Sequence, residues 1–230
     1  MANIIFIPGF GFGPEIWENQ IEYFTNSGHQ AFAARLPREK TLAAMAKNIL
    51  KELAEDEIDG DIILVGWSLG GMVAMEMASQ SDKISKLALV STTPKFCQSD
   101  DWPHGVPSGM LLGLKRKIVA NFNSGMNQFY DLIGSEFSRQ DNLAGWEQKH
   151  AIEALEILEE SDLRPVIGKI SCPTLIISSE EDQICMPSAS RYLSGQIKNS
   201  QYSIFPTSHA PFLTNGERFN TLIADFVASR

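Results

Sequence analysis

Residues 62–72 read Ile62-Ile63-Leu64-Val65-Gly66-Trp67-Ser68-Leu69-Gly70-Gly71-Met72: an apolar run passing without a polar spacer into Gly-x-Ser-x-Gly. The run has the length and β-branched content of a buried strand, and Met72–Ala78 after it is rich in helix formers. A serine on so sharp a turn takes a strained backbone conformation and lifts its hydroxyl above the sheet. The glycines leave room for the strand and helix backbones that crowd the turn. Gly-x-Ser-x-Gly alone is a common pattern. In a strand–turn–helix context it favours a nucleophile over a helix-capping serine.

Working outward, short β-rich runs recur at Ile4–Ile7, Ala31–Leu36, Leu87–Val90, Thr174–Ile177 and Tyr202–Phe205. Helical patterns lie between them. Pro14 suits a first turn, with Ile16, Trp17, Ile21 and Phe24 on one face and Gly28 as the stop. Thr41 is placed to cap a helix carrying Leu42, Met45, Ile49 and Leu53, and Phe219, Leu222, Ile223, Phe226 and Val227 mark a final helix. Strand–helix alternation predicts an α/β fold with a mainly parallel sheet and helices on both faces. From Lys95 to about Pro165 no strand pattern occurs, whereas Ile152–Leu158 reads as helix. This predicts one domain with a core of 1–94 and 166–230 and a helical lid over 95–165.

Composition narrows the function. The 230 residues carry a formal charge of −9, which argues against a phosphate-backbone partner. No apolar stretch approaches a membrane span, and Met1-Ala2-Asn3 runs into a strand without a signal-like region. A cytoplasmic protein that binds neither nucleic acid nor membrane is expected. Cys97, Cys172 and Cys185 are odd in number and widely spaced, fitting free thiols in core or pocket positions.

A serine nucleophile needs a base, and the chain has four histidines. His29 sits in a polar turn. His104 and His150 fall within the strandless region, where exposure is expected for both. His209, in Phe-Pro-Thr-Ser-His-Ala-Pro-Phe after the last strand, can reach over the sheet's carboxyl edge. The strand before that is followed by Glu180, Glu181 and Asp182. Asp182 is favoured as the orienting acid, with Glu181 as the alternative. The chain order Ser68, Asp182, His209 is that of an α/β-hydrolase. An oxyanion hole is then expected from the N–H of Leu69 and an N–H of the Ile7-Pro8-Gly9-Phe10-Gly11-Phe12-Gly13 loop, with Phe10 the favoured donor. The loop lacks the lysine of a phosphate-binding loop. This chemistry calls for no metal and no cofactor.

The segments GWSLGGMVA (66–74), DDWP (100–103), EALEILEESDLRPVIGKISCP (153–173) and SHAPF (208–212) resemble the pimeloyl-[acyl-carrier protein] methyl ester esterase family of biotin synthesis. The resemblance runs through nearly the whole chain from Ile4. It implies Ser68, Asp182 and His209 as triad, with Phe10, Leu69 and Phe129 lining the acyl site. It also implies an acyl carrier protein as partner, held by basic lid residues; a monomer is expected. Arg139 matches one lid arginine of the family, whereas Ser124 and Gln128 stand where two others would align. Lys115, Arg116 and Lys117 are the expected substitutes, because 110–130 holds these three basic residues and no acidic one. The family's usual hairpin before the first central strand has no counterpart here. Alternatives within the fold are a broad-specificity short-chain carboxylesterase or a thioesterase. The alternative outside catalysis is a receptor-like ligand-binding hydrolase fold.

Overall fold

The computed structural model describes residues 1–58, 60–134 and 145–229. Among them, six parallel strands form one sheet in the order β2-β1-β3-β4-β5-β6. These are β1 (Asn3–Ile7), β2 (Gln30–Ala33), β3 (Ile62–Trp67), β4 (Ile84–Val90), β5 (Thr174–Ser179) and β6 (Ser200–Phe205). Every residue of β1, β3 and β5 is buried, because helices cover both faces of these inner strands. That double burial is why they read as unbroken apolar runs.

Strand order reverses between β1 and β3, and this single reversal distributes the helices. Crossovers in a parallel sheet are right-handed, so connections running in opposite directions lie on opposite faces. α1 (Glu18–Asn26), entered through the 3-10 turn Pro14–Trp17, joins β1 to β2 and packs with the last helix, α10 (Gly216–Ala228). α2 (Leu42–Glu55) and α3 (Leu69–Gln80) run the other way and pack together on the second face. Thr41 caps α2 as expected, its hydroxyl accepting from the N–H of Ala44 at 3.1 Å. On the first face Trp17 stacks on Phe212 at 4.0 Å between ring centres, and Phe6 lies 5.0 Å from Trp17.

The edge strand β2 is shorter than its apolar run. Expected over Ala31–Leu36, it pairs with β1 only through Ala33, and a last backbone bond runs from Ala34 N to Phe6 O at 2.9 Å. Pro37 has no N–H to donate, and Arg35 and Leu36 turn away from the ladder ahead of it.

Between β4 and β5 the described chain forms α4 (Ser108–Ala120), α5 (Phe122–Ile133), α6 (Gln148–Glu160) and the short α7 (Arg164–Ile167), with isolated bridges but no strand. α8 (Pro187–Gln196) and the single turn α9 (Pro211–Thr214) complete the fold. Where the insertion leaves and rejoins the sheet, Leu163 N donates to Pro94 O at 2.8 Å. Arg164 grips Asp162 through Nε and Nη2 and reaches Asp101 Oδ2 at 2.8 Å, while Trp102 Nε1 donates to Lys95 O at 2.9 Å. The DDWP and SDLRP segments are thus a clamp at the root of the insertion.

The clamp is sensitive to acid. The Ser99 hydroxyl and the Arg164 guanidinium hold Asp101 down to about 2, and Arg164 lowers Asp162. Depressed carboxylates contribute stability that is present above their unfolded value, about 3.9, and lost as pH falls through the folded one. Arg164→Met should therefore unfold at lower urea than wild type at neutral pH. The gap should close as pH drops from about 4 toward 2. An equal gap at both ends would show that Arg164 acts through packing on Trp102.

Candidate active site

The reversal in strand order leaves a crevice at the carboxyl ends of β1 and β3, where ligands of open α/β sheets bind. Ile7 is in register with Gly66, so the loop leaving β1 and the turn leaving β3 emerge side by side. Ser68 occupies that turn with φ +55° and ψ −121°, outside the regions a non-glycine residue prefers. Such strain costs on the order of 1–3 kcal/mol and persists only where the surroundings impose it. Here Ser68 N donates to Val90 O at 3.0 Å, and its carbonyl accepts from Thr92 Oγ1 at 2.7 Å and from the N–H groups of Gly71 and Met72.

Both motif glycines are required by close approach. A Cβ on Gly66 would come within 2.6 Å of Gly70 O, and one on Gly70 within 2.4 Å of the carbonyl oxygens of Ile7 and Pro8. Gly9 brings the β1 loop against the Ser68 turn, since its Cβ would lie 3.1 Å from Ser68 Cβ. Among the described residues the N–H groups of Phe10 and Leu69 donate to no backbone carbonyl.

β5 and β6 end in register at Ser179 and Phe205 and launch the loops that carry Asp182 and His209. His209 Nδ1 lies 2.8 Å from Asp182 Oδ2, and both side chains are buried. The other carboxylate oxygen accepts from Ile184 N at 2.8 Å and Cys185 N at 2.9 Å. With every nearby donor aimed at Asp182, the proton of a neutral imidazole belongs on Nδ1, leaving the Nε2 lone pair free. Nε2 is buried and has no hydrogen-bond partner. The backbone of His209 is tied to the residue before Ser68, its carbonyl accepting from Trp67 Nε1 at 2.9 Å. The Ser68 hydroxyl makes no hydrogen bond to Nε2 in this resting geometry. It lies beside the Cys185 thiol, which burial pushes well up, with Asp182 adding to the rise and Ser68 opposing it. Glu181, the alternative acid, is exposed and donates its N–H to Thr207 O.

A cavity of about 280 Å³ opens over Ser68, walled by Phe10, Phe129, Ile184 and the leucines of α4 and α6. The Phe129 ring meets the Phe10 ring edge-on at 4.9 Å. Of the three consecutive basic residues of α4, only two are available. A helix turns about 100° per residue, so neighbours cannot share one face. Lys115 points inward and pairs with Glu159 at 2.6 Å, Arg116 is exposed, and Lys117 borders the cavity. Arg139 lies outside the described residues.

His150 departs from the exposure expected of it. It is buried, its ring stacked on Trp146 at 4.2 Å, and that burial lowers its pKa. Its neighbour four residues back along the sequence, Trp146, was the available signal. His104 is half-buried against Trp102 and Tyr192. Cys185 is buried, in keeping with the core or pocket position expected of it, but its place beside Ser68 had no signal in the sequence. The cysteines are free thiols. Among the described residues no helix is long and apolar enough to cross a membrane.

The chain belongs to the alpha/beta hydrolase family, whose model matches residues 4–222. A pimeloyl-[acyl-carrier protein] methyl ester esterase of Nitrosomonas europaea is 26% identical over 232 positions, covering 94% of this chain and 92% of its own. One from Chromobacterium violaceum is 30% identical over 178 positions, covering 73% and 70%. An esterase from Exiguobacterium antarcticum superposes with a TM-score of 0.93 at 20% identity, over 100% of this chain and 92% of that one, which bears on the fold alone.

Gly70→Ala tests the close packing under the turn. Overpacking against fixed backbone typically costs about 1–3 kcal/mol, so the melting temperature should fall by roughly 3–10 °C in a thermal scan. An unchanged melting temperature would mean the β1 and β3 loops separate freely.

Proposed function

We propose that this carboxylic ester hydrolase cleaves the methyl ester of pimeloyl-[acyl-carrier protein], releasing methanol and a free terminal carboxylate. The observation that carries the chemistry is the buried Asp182–His209 pair held beside the Ser68 turn. What supports the substrate is the near full-length similarity to esterases of that name, together with an apolar cavity over the serine.

In this reading substrate binding turns the Ser68 hydroxyl from Cys185 toward His209 Nε2. Nε2 takes the proton as Oγ attacks the ester carbonyl, and the oxygen that gains the charge sits between the N–H groups of Leu69 and Phe10. The C–O bond to the methyl-bearing oxygen breaks, and the imidazolium returns its proton to that oxygen as methanol leaves. Water then attacks the acyl-enzyme, giving its proton to Nε2, and Ser68 is regenerated with that proton. Asp182 fixes the Nδ1–H tautomer and stabilises the charged ring.

Residues 95–165 act as the lid, and its helix α4 supplies the carrier's docking face. Leu112 and Val119 are exposed on α4 beside Arg116, and the helix has no acidic residue. An acidic carrier fits such a surface in both charge and apolar content.

Ser68→Ala should lower kcat on the carrier-linked methyl ester by about 10⁴-fold or more with the fold intact by circular dichroism. Turnover that survives the substitution would remove the serine mechanism. Arg116→Glu should raise KM for the carrier-linked ester several-fold at low salt, converging on wild type at high salt, and leave free methyl esters unaffected. Equal kcat/KM for free and carrier-linked esters in the wild type would identify a broad-specificity esterase instead.

A further inference from the structure

The cavity over Ser68 is apolar almost throughout, yet two polar side chains on its insertion wall have no use in the mechanism above. Gln128, on α5, borders the cavity next to Phe129, and its Oε1 is buried without a hydrogen-bond partner. Buried amide groups are almost always satisfied, and an exception calls for a missing partner. Lys117, on α4, borders the same cavity, and among the described residues no carboxylate pairs with it, although Lys115 two residues earlier holds Glu159. The two helices are locked in this arrangement at their crossing, where a Cβ on Gly125 would come within 2.5 Å of Ile118 Cγ1. The remaining polar groups of the lining, Ser68 and Gln183, belong to the reacting end, Gln183 directly following Asp182.

We infer that Lys117 and Gln128 form a second, polar subsite that receives the far end of the acyl chain. The preferred substrates are then esters whose acyl group ends in another carboxyl-level group, a carboxylate or a carbonyl, and not in hydrocarbon. This rests on the esterase reading and deepens it. The buried amide oxygen and the amide nitrogen exchange places by a half-turn about the last side-chain bond, so Gln128 can present N–H to a carbonyl oxygen. Lys117 supplies a charged donor, which a carboxylate uses more fully than a neutral carbonyl does. A long chain then has two anchors, its ester at Ser68 and its other end on the insertion wall. The insertion selects for length and for end-group chemistry together.

The test uses three esters of equal chain length: monomethyl pimelate, dimethyl pimelate and methyl heptanoate. They end in a carboxylate, a neutral carbonyl and a methyl group. Wild-type kcat/KM should favour both pimelates over methyl heptanoate by about tenfold, beyond the factor of two that dimethyl pimelate gains from its second ester. Gln128→Leu should cut the dimethyl preference, and Lys117→Met should cut the monomethyl preference more than the dimethyl one. Calorimetric dissociation constants for the same esters on the Ser68→Ala protein read the subsite without turnover. Turnover of all three esters without preference, or preferences that survive both substitutions, would overturn the subsite and keep the esterase. Selective binding with no turnover by the wild type would do the reverse.

Discussion

The backbone of Ser68 is the point on which the rest of the molecule depends. A residue with a side chain is held at φ +55° by Val90 on one side, Thr92 beneath and the first turn of α3 ahead. None of those restraints exists unless β3 lies between β1 and β4, and Gly70 can meet the β1 carbonyls only if β1 and β3 end at the same level. The strain is therefore a property of the assembled sheet. It aims one hydroxyl at the crevice where strand order reverses, and the same parallel direction brings the loops after β5 and β6 to that edge.

His209 is anchored by a different logic. Its ring hangs from Asp182, whose second oxygen is held by two backbone donors, while its carbonyl is bound to the indole of Trp67. Trp67 also lies against Phe212, 5.1 Å away, so one indole holds the chain both at the histidine and three residues past it. Ser68 and His209 are thus connected through the residue next to the serine. The Ser68 hydroxyl rests beside Cys185, and the backbones that carry it and the imidazole are held in place.

Much of this was legible in the chain because it is local or periodic. The buried strands announce themselves as runs such as Ile62–Val65, the Thr41 cap and its helix follow helical spacing, and Gly66 and Gly70 bracket the serine for reasons a single turn imposes. The pairing of Asp182 with His209 could be anticipated from the order of loops along a parallel sheet. What resisted reading depends on three-dimensional neighbours with no sequence period. β2 stops at Ala33 because of an edge and a proline, His150 is buried because Trp146 folds over it, and Lys115 turns inward to meet Glu159, which stands 44 residues further along the chain. The family-like DDWP and SDLRP segments were visible as motifs, but their work at the root of the insertion was not, since the residues that meet there come from opposite ends of it.

The insertion has one more consequence, for the order in which the chain can fold as it is made. β4 pairs directly with β5, and every residue of the helical excursion lies between them in the chain. During synthesis the four strands β2-β1-β3-β4 emerge first, and the outer edge of β4 stays unpaired until the ribosome has delivered the whole excursion, an interval of several seconds at ordinary elongation rates. Leu87 to Val90 form an apolar, hydrogen-bond-hungry rim for that time, the kind of edge that recruits other strands. Contact between the root residues Pro94 and Leu163 draws the two ends of the excursion together just before β5 appears, which shortens the search of the late strand for its place.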